Sequence, residues 1–408
     1  VEARVAEALK ANTALQIADP VELAVRGSEV VLRTASGSMK ADREVLAMLA
    51  AFRGPRRLDQ ALDALTRDTA CRLDWAATAA RVLELCDAGV LEAVGAAVRP
   101  ALGGRGFDSA ASQVRLLGDR VRTLAFVDAV RAAVRPGDVV VDLGTGTGVL
   151  AVAAAQAGAR RVHAIERGSV GRLAAALFAQ HGLADRIELV ASSSTTAVLP
   201  EPADVLVSEI IGDEPFGENV LEYTRDALGR LLRPGARLVP RRLRLYARAV
   251  TLDDATVEAH AFSPARLAEW SRWYGMDLAA LAGARSSAPY RFFVDQARAR
   301  AWAPRSEAAL LADVDLRNAP AHLDAVSELR ATSAGRLDAL VESFDVELDA
   351  QRTLRVDPWS GYEGCHWRAC VWLLDPRTTV EAGASLALRY RYGVAGASLG
   401  AEAQAQLG

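Results

Sequence analysis

The chain has 408 residues with 48 basic and 51 acidic side chains, a formal net charge of −3 and 51% hydrophobic residues. That length accommodates two or three domains, and the charge argues against a general nucleic-acid binder, which needs a positive surface. No apolar run reaches the length of a bilayer span, no signal peptide is visible, and a cytoplasmic protein is the expectation. Lys10 and Lys40 are the only lysines, a bias of GC-rich coding and not a site. Cys71, Cys86, Cys365 and Cys370 include no C-x-x-C pair, so ordinary reduced thiols and no zinc site are expected.

Residues 1–97 are read as a first domain. Val21–Val25 and Val30–Thr34 are strand-like and are split by the turn-like Arg26-Gly27-Ser28. Three helices follow: Asp42–Phe52, with Val45, Leu46, Leu49 and Ala50 on one face, then Leu58–Leu65, then Trp75–Ala88. Gly89 closes the third, and Val90-Leu91 begins a return strand. Strands, three helices and a terminal strand predict a small winged-helix domain. Between residues 41 and 93 seven arginines face nine acids, which disfavours DNA reading. The segments VLAMLAAFRGPRRLDQALDAL and VLELCDAGVLEA resemble the PqqD-like leader-binding element of enzymes that modify ribosomal peptides. That resemblance implies a precursor peptide whose leader adds as a strand to a sheet edge. An accessory or dimerisation domain is the alternative.

Val98–Arg105, with Pro100, Gly103 and Gly104, reads as a linker into a second domain, residues 98–240. A helix from about Leu116 to before Pro136-Gly137 carries Arg122. Then comes DVVVDLGTGTGVLAVAAAQAGARRVHAIE, from Asp138 to Glu166. Val139–Leu143 is a buried strand, Val149–Ala157 a helix and Arg161–Ile165 a second strand. Gly144, Gly146 and Gly148 let backbone approach a ligand, and Glu166 stands where an acid binds ribose hydroxyls. A dinucleotide fingerprint wants glycine where Val149 stands. The preceding Asp142-Leu143 and the G-x-G-x-G spacing point instead to S-adenosylmethionine (SAM).

Asp204–Ser208 is another apolar strand, followed by Glu209, Glu214 and Glu218 in a loop with Gly212, Pro215 and Gly217. Two carboxylates in one small volume repel unless a cation lies between them. The fitting guest is a guanidinium or ammonium group, and Glu214 is a candidate to share the role. A solvated acidic loop is the plain alternative.

From Leu238 the chain turns strand-rich, with Leu243–Val250, Ala309–Asp315, Ser343–Leu348, Trp367–Leu374 and Ser385–Tyr392. Helical sequence from about Ser263 to Leu281 interrupts it. The expected architecture for residues 241–408 is a barrel-like β domain with a protruding arm at about 263–290. The other four histidines, scattered away from His366, form no metal constellation.

In order, these motifs resemble the protein arginine methyltransferase family over about residues 105–395. Asp119-Arg-Val-Arg122-Thr is similar to its D-x-V-R-T helix, and Glu209 and Glu218 to the acids of its double-E loop. GARLVP, Gly235–Pro240, resembles the segment leading into its barrel. Trp270–Asp277 (WSRWYGMD) resembles the sequence near its dimerisation arm. Cys365-His366-Trp367 stands where the family has Thr-His-Trp. The resemblance implies an α/β plus β fold with a Rossmann-like SAM domain and a ring-like homodimer. It implies SAM held by Arg122, Asp142, Gly144, Gly146, Gly148, Glu166, Ser194 and Thr195, and catalysis by Glu209, Glu218 and His366. The substrate half departs from the pattern. Phe107-Asp-Ser109 lacks the second tyrosine of the Y-x-x-Y helix, and Gln113 and Leu116 replace histidine and methionine. Ile210, Ile211 and Asp213 replace Trp, Met and Tyr. The combined reading is a SAM-dependent N-methyltransferase acting on a cationic nitrogen of a leader-bearing ribosomal peptide. Its alternatives are a methyltransferase of free arginine or a small amine, a general protein arginine methyltransferase, and a non-enzymatic regulator.

Overall fold

The computed structural model describes residues 14–18, 21–26, 29–34, 37–52, 54–58, 60–61, 65, 75–93, 106–260, 262–283 and 290–402. The chain divides into two compact units, Val1–Ser112 with Gly168–Leu173, and Gln113–Arg167 with Ala174–Gly408.

In the first unit β1 (Ala14–Ile17) is followed by the antiparallel meander β2 (Glu22–Arg26), β3 (Glu29–Thr34) and β4 (Gly37–Ala41). Helix α1 spans Arg43–Ala51, and its N-cap Asp42 accepts the Val45 N–H at 2.8 Å, a cap worth about 1 kcal/mol. Its buried stripe is Val45, Met48 and Ala51, continued by Phe52, while Leu46 and Leu49 are half-buried and Ala50 is exposed. Helical periodicity permits either of two adjoining stripes. The core of Leu15, Leu32 and Leu85 selects the one through Met48 and not the expected one through Leu46 and Ala50. A short β5 (Arg56–Arg57) precedes α2 (Trp75–Asp87) and β6 (Leu91–Ala93); β5 and β6 pair antiparallel on either side of β1. Gly89 has φ +69°, and Val90 N–H donates to Leu85 O at 2.8 Å, the expected glycine stop of α2. Of the expected helix Leu58–Leu65, only Leu58, Gln60, Ala61 and Leu65 are described, all helical. The Gly27-Ser28 turn, the linker at 98–105 and Cys71 lie outside the described residues.

In place of one helix from Leu116 the structure has two, α3 (Ala110–Gly118) and α4 (Arg120–Ala133). Asp119 breaks them: its backbone is non-helical, and its side chain caps α4 by accepting the Arg122 N–H at 3.0 Å. Then follow β7 (Val139–Leu143), α5 (Val149–Gln156), β8 (Arg161–Ile165), α6 (Gly171–Gln180), β9 (Ile187–Val190), β10 (Ala203–Ser208), α7 (Val220–Arg230) and β11 (Leu232–Val239). The five strands form an all-parallel sheet in the order β11-β10-β7-β8-β9. Every residue of β7 is buried, as a central strand covered on both faces requires.

The strand-rich half is real and larger than expected. It comprises β12 (Arg242–Thr251), helices α8 (Asp254–His260) and α9 (Pro264–Tyr274), β13 (Tyr290–Val294), α10 (Gln296–Arg300), β14 (Ala303–Pro304), β15 (Ala309–Asp315), β16 (Leu323–Arg330), β17 (Gly335–Glu347), β18 (Thr353–Val356), β19 (Ala369–Val380), β20 (Ser385–Gly393) and β21 (Gly396–Glu402). Seven strands form one antiparallel sheet centred on β17, and β16, β20 and β21 form a second. Leu243, Phe344, Trp367 and Tyr390 from this half share one core with Val141, Leu206 and Phe216 of the parallel-sheet half. Among the described residues no helix is long and apolar enough to cross a membrane.

Candidate active site

The parallel sheet changes winding direction between β7 and β10. Open α/β sheets bind ligands at the carboxyl ends of strands on either side of such a point. Leu143 and Ser208, the last residues of β7 and β10, are register partners. Gly144 and Glu209 therefore leave the sheet as neighbours, and a Cβ at Gly144 would stand 2.9 Å from the Ile210 side chain.

The glycine loop is shaped by two different needs. Gly148 has φ +85°, and a Cβ there would lie 2.5 Å from the Phe178 ring, so only glycine lets α5 start here. At Gly146, φ +55°, the nearest atom to an added Cβ is 3.8 Å away. A side chain there would meet Gln113 Oε1 and Gly144 O at ordinary contact distance, so the positive φ and not crowding is what favours glycine. Glu166, at the end of β8, accepts the Gly146 N–H at 3.1 Å. Asp142 is buried and accepts the Thr145 hydroxyl at 2.5 Å. Burial pushes its carboxyl up to about 7; the Thr145 bond opposes this and the Glu166 charge adds to it.

Arg122 is brought to the same edge by the capped start of α4. It is buried and forms an ion pair with Glu209 through Nη1, while Nη2 donates to Leu116 O at 2.8 Å and Thr123 Oγ1 at 3.2 Å. Its Nε and the Ser208 hydroxyl are buried without a partner among the described residues. A cofactor bearing a carboxylate and a ribose fits this edge, because an orphaned buried donor, a glycine loop and a strand-end acid all lie along it.

The loop from Glu209 to Glu218 folds back at Gly212, where an added Cβ would meet Glu214 O at 2.8 Å and Glu218 Cγ at 3.3 Å. This fold brings Glu218 beside the start of the loop, and Glu209 feels its charge. Burial raises both carboxyls to about 7; Arg122 partly offsets the rise at Glu209, and the Asp213 charge adds to it at Glu218. Glu214 is a correction. It turns into the core, where Tyr390 donates to its Oε1 at 2.7 Å, and burial raises its carboxyl. It is therefore not placed to share the work of the other two acids.

His366 reaches the site through Asp119. Its Nδ1 lies 2.9 Å and its backbone N–H donor 3.0 Å from Asp119 Oδ2, and Tyr362 donates to Oδ1 at 2.7 Å. Burial pushes Asp119 up, but the bonds from His366, Tyr362 and Arg122 outweigh it and hold the carboxyl below its ordinary value. An ionised Asp119 only accepts, so Nδ1 carries the proton and Nε2 is the basic nitrogen. Burial lowers the His366 pKa, with Asp119 opposing.

Ser194 and Thr195 sit on the turn after β9. Ser194 O accepts from Arg230 at 2.8 Å, and Thr195 is exposed with its hydroxyl 3.1 Å from Ser193 Oγ. No described contact ties either to the glycine loop. Sequence reasoning gave no separate role to Asp119, Tyr362 or Arg368. The one local signal was an Asp three residues before Arg122, the spacing of an N-cap. Cys86, Cys365 and Cys370 are free thiols, and the described residues hold no metal-binding cluster.

Residues 118–236 match a profile described as ribosomal protein L11 methyltransferase (PrmA), and residues 249–392 one described as arginine methyltransferase oligomerization subdomain. The Arginine N(omega)-methyltransferase of Streptomyces achromogenes subsp. streptozoticus is 31% identical over 298 residues, 67% of this chain and 74% of the relative. Protein arginine N-methyltransferase PRMT10 of Oryza sativa subsp. japonica is 29% identical over 297 residues, 66% of this chain and 77% of the relative. Among solved structures, the Trypanosoma brucei PRMT1 enzyme–prozyme heterotetrameric complex with AdoHcy superposes with a TM-score of 0.63 at 22% identity, covering 74% of this chain and 96% of that one. Arabidopsis thaliana protein arginine methyltransferase 10 gives 0.57 at 25% identity, covering 69% and 87%. Sequence kinship over two thirds of the chain thus coincides with a SAM-type glycine loop and a strand-end acid pair: the chain belongs to the arginine N-methyltransferase family and is a SAM-dependent N-methyltransferase.

Proposed function

We propose that the methyl acceptor is the guanidinium of an arginine, gripped by Glu209 and Glu218, and that a peptide recruited by the N-terminal unit presents it. The observation that supports the grip is the acid pair itself. Burial raises both carboxyls to about 7; Arg122 already meets Glu209, whereas Glu218 faces the Asp213 charge and is costly to ionise until a cation joins it.

SAM, when bound, supplies a methyl group activated for displacement by a nitrogen lone pair. Gly144, Gly146 and Gly148 would cradle the cofactor, Glu166 would accept its ribose hydroxyls, and Arg122 Nε would address its carboxylate. Asp142 stiffens the glycine loop through Thr145, and Ser194 and Thr195 would border the base. Glu218 and Glu209 accept N–H bonds from the guanidinium and localise its charge on the held nitrogens. The free nitrogen keeps its lone pair directed at the methyl, and alignment supplies most of the rate. As a bond from that nitrogen to the methyl carbon formed, the sulfur–methyl bond would break with its electron pair kept by the departing thioether, and the nitrogen would shed a proton. His366 Nε2 receives it, and ionised Asp119 stabilises the resulting imidazolium.

A leader-binding winged helix is favoured by the β2-β3-β4 sheet. Among the described residues β2 is an edge strand, and Leu23 and Val25 on it are 56% and 70% exposed. A peptide strand added there gains main-chain bonds and apolar cover. Two other readings have their own support. The Streptomyces relative's name favours free arginine, and the PRMT10 relatives favour proteins in general. A homodimer is proposed from the exposed Trp273, Tyr274 and Met276 on and after α9 and the exposed Val121 and Leu124 on α4, apolar side chains that a partner subunit would cover.

Methyl transfer to L-arginine, to an arginine peptide, and to the same peptide behind a candidate leader, read by mass spectrometry, separates the acceptors. Glu218→Gln and Glu209→Gln are expected to lower turnover at least about a hundredfold, roughly 2.7 kcal/mol. Near-normal turnover in both removes the acid-pair reading. Equal rates with and without the leader remove the recruitment reading.

A further inference from the structure

We propose that Asp213 and Arg368 form a latch that positions the acid loop, residues 209–218, against the segment carrying His366. The proposal rests on the reading of Glu209, Glu218 and His366 given above.

Both oxygens of Asp213 are used. Oδ1 accepts the Arg368 backbone N–H at 2.7 Å, and Oδ2 accepts Arg368 Nε at 2.8 Å with Nη2 at 2.7 Å. A paired guanidinium edge on one oxygen and a backbone N–H on the other fix direction as well as distance. Arg368 is braced from the far side, its guanidinium 4.9 Å from the centroid of the Phe293 ring on β13. The residue before it adds a parallel tie, since Trp367 Nε1 donates to Ile211 O at 2.8 Å.

Three consecutive residues therefore each hold a different part of the site. His366 binds Asp119 at the start of α4, Trp367 binds the acid loop at Ile211, and Arg368 binds it at Asp213. Asp213 lies four residues after Glu209 and five before Glu218, near the middle of the loop. That loop contains Gly212 and Gly217, whose backbones lose the most freedom on ordering. Its internal bonds after Asp213 are short-range, such as Gly217 N–H to Glu214 O at 2.9 Å. Backbone of this kind holds two carboxylates at a reactive nitrogen only when something outside the loop pins it, as Tyr390 does at Glu214 and the latch does at Asp213. The latch also has an electrostatic side. Asp213 is a third acid close to Glu218, and Arg368 compensates it, so the pair grips the loop without adding net negative charge.

This makes Asp213 and Arg368 positioning residues, acting through Glu209, Glu218 and His366. The test uses the full chain with Asp213→Asn, Arg368→Ala, the two together, and Arg368→Lys. Each single change is expected to lower kcat for L-arginine or an arginine peptide about tenfold, the size of a lost charged hydrogen bond. SAM affinity by calorimetry is expected to stay within about twofold, since no latch atom touches the cofactor edge. The double variant is expected to lose no more than the worse single, because the two act as one unit. Arg368→Lys restores part of the loss, keeping the charge but not the paired edge.

Hydrogen exchange supplies a readout that needs no acceptor. In Arg368→Ala the amides of residues 209–218 are expected to exchange at least about tenfold faster. Glu218→Gln, assayed beside it, is expected to lose turnover with wild-type exchange in that loop. Near-normal turnover in Glu218→Gln would overturn the acid reading alone, because exchange reports the latch independently. Unchanged exchange in residues 209–218 of a folded Arg368→Ala, or losses that simply add in the double variant, would overturn the latch.

Discussion

Asp119 illustrates how much a single buried carboxylate organises here. It caps α4, orients His366 and receives Tyr362, four hydrogen bonds on two oxygens. Glu218 is the opposite case, a carboxyl raised to about 7 by burial and by Asp213. An acid whose pKa rises on folding binds more protons folded than unfolded between the two values. Its presence therefore costs stability as pH climbs through that window, here from about 4.5 to about 7. Glu218→Gln is thus expected to gain stability over the wild type as pH rises from 5 to 8, on the order of 1 kcal/mol. Catalysis runs the other way: the acids grip a cation only when ionised, so wild-type kcat/KM for the acceptor is expected to climb between pH 6 and 8. Paired urea melts and a pH–rate profile check both. A stability difference that does not change with pH would show that Glu218 titrates as if solvated.

At the scale of elements, α9 is well specified locally and poorly covered. Ser263 caps it, Pro264 stands in its first turn and Gly275 closes it with φ +63°. Yet Trp273 and Tyr274 are 57% and 60% exposed. A helix end carrying large exposed aromatics fits an interface, where such residues dominate the energy. If α9 is a dimer arm, Trp273→Ala with Tyr274→Ala is expected to raise the dissociation constant of that dimer at least about tenfold. Light scattering across a dilution series measures it. A wild-type chain that is monomeric at micromolar concentration would remove α9 as a dimer arm.

Across the whole molecule the two units have separate cores, one around Met48, Phe52 and Leu85 and one running through both the parallel sheet and the C-terminal sheets. Removing residues 1–97 leaves the second core whole. If the first unit recruits a leader, that deletion is expected to raise KM for a leader-bearing peptide by at least about tenfold with kcat nearly kept. Binding remote from the reacting atoms acts on ground and transition states alike. Steady-state kinetics on leader-bearing and leaderless peptides give the answer, and equal losses on both would make the unit structural.

What the sequence determined by itself is the chemistry carried by local patterns. The run Val139–Leu143, the spacing of Gly144, Gly146 and Gly148, and Glu166 after the next strand specify a nucleoside-type loop. Strand periodicity and glycine geometry act over a few residues, so they are legible without a fold. The strands β16, β18 and β21 were not legible: in β16 Val326 is exposed and Ser327 is on the inner side, so residue type does not follow the alternation, β18 is only four residues long, and β21 contains glycine. The break at Asp119 did leave a local mark, Gly118 at the end of α3 and Asp119 at the N-cap of α4, which a single-helix reading passes over. Tertiary structure alone decided which stripe of α1 is buried, that Glu214 faces Tyr390 and not the acid pair, and that Arg122 joins Glu209. It also set Asp119 against His366, 247 positions apart, and Asp213 against Arg368, 155 apart. Contacts at such separations leave no periodic trace in either segment. They exist because the parallel sheet and the C-terminal sheets share one core, and burying that common apolar surface brings the two loops together.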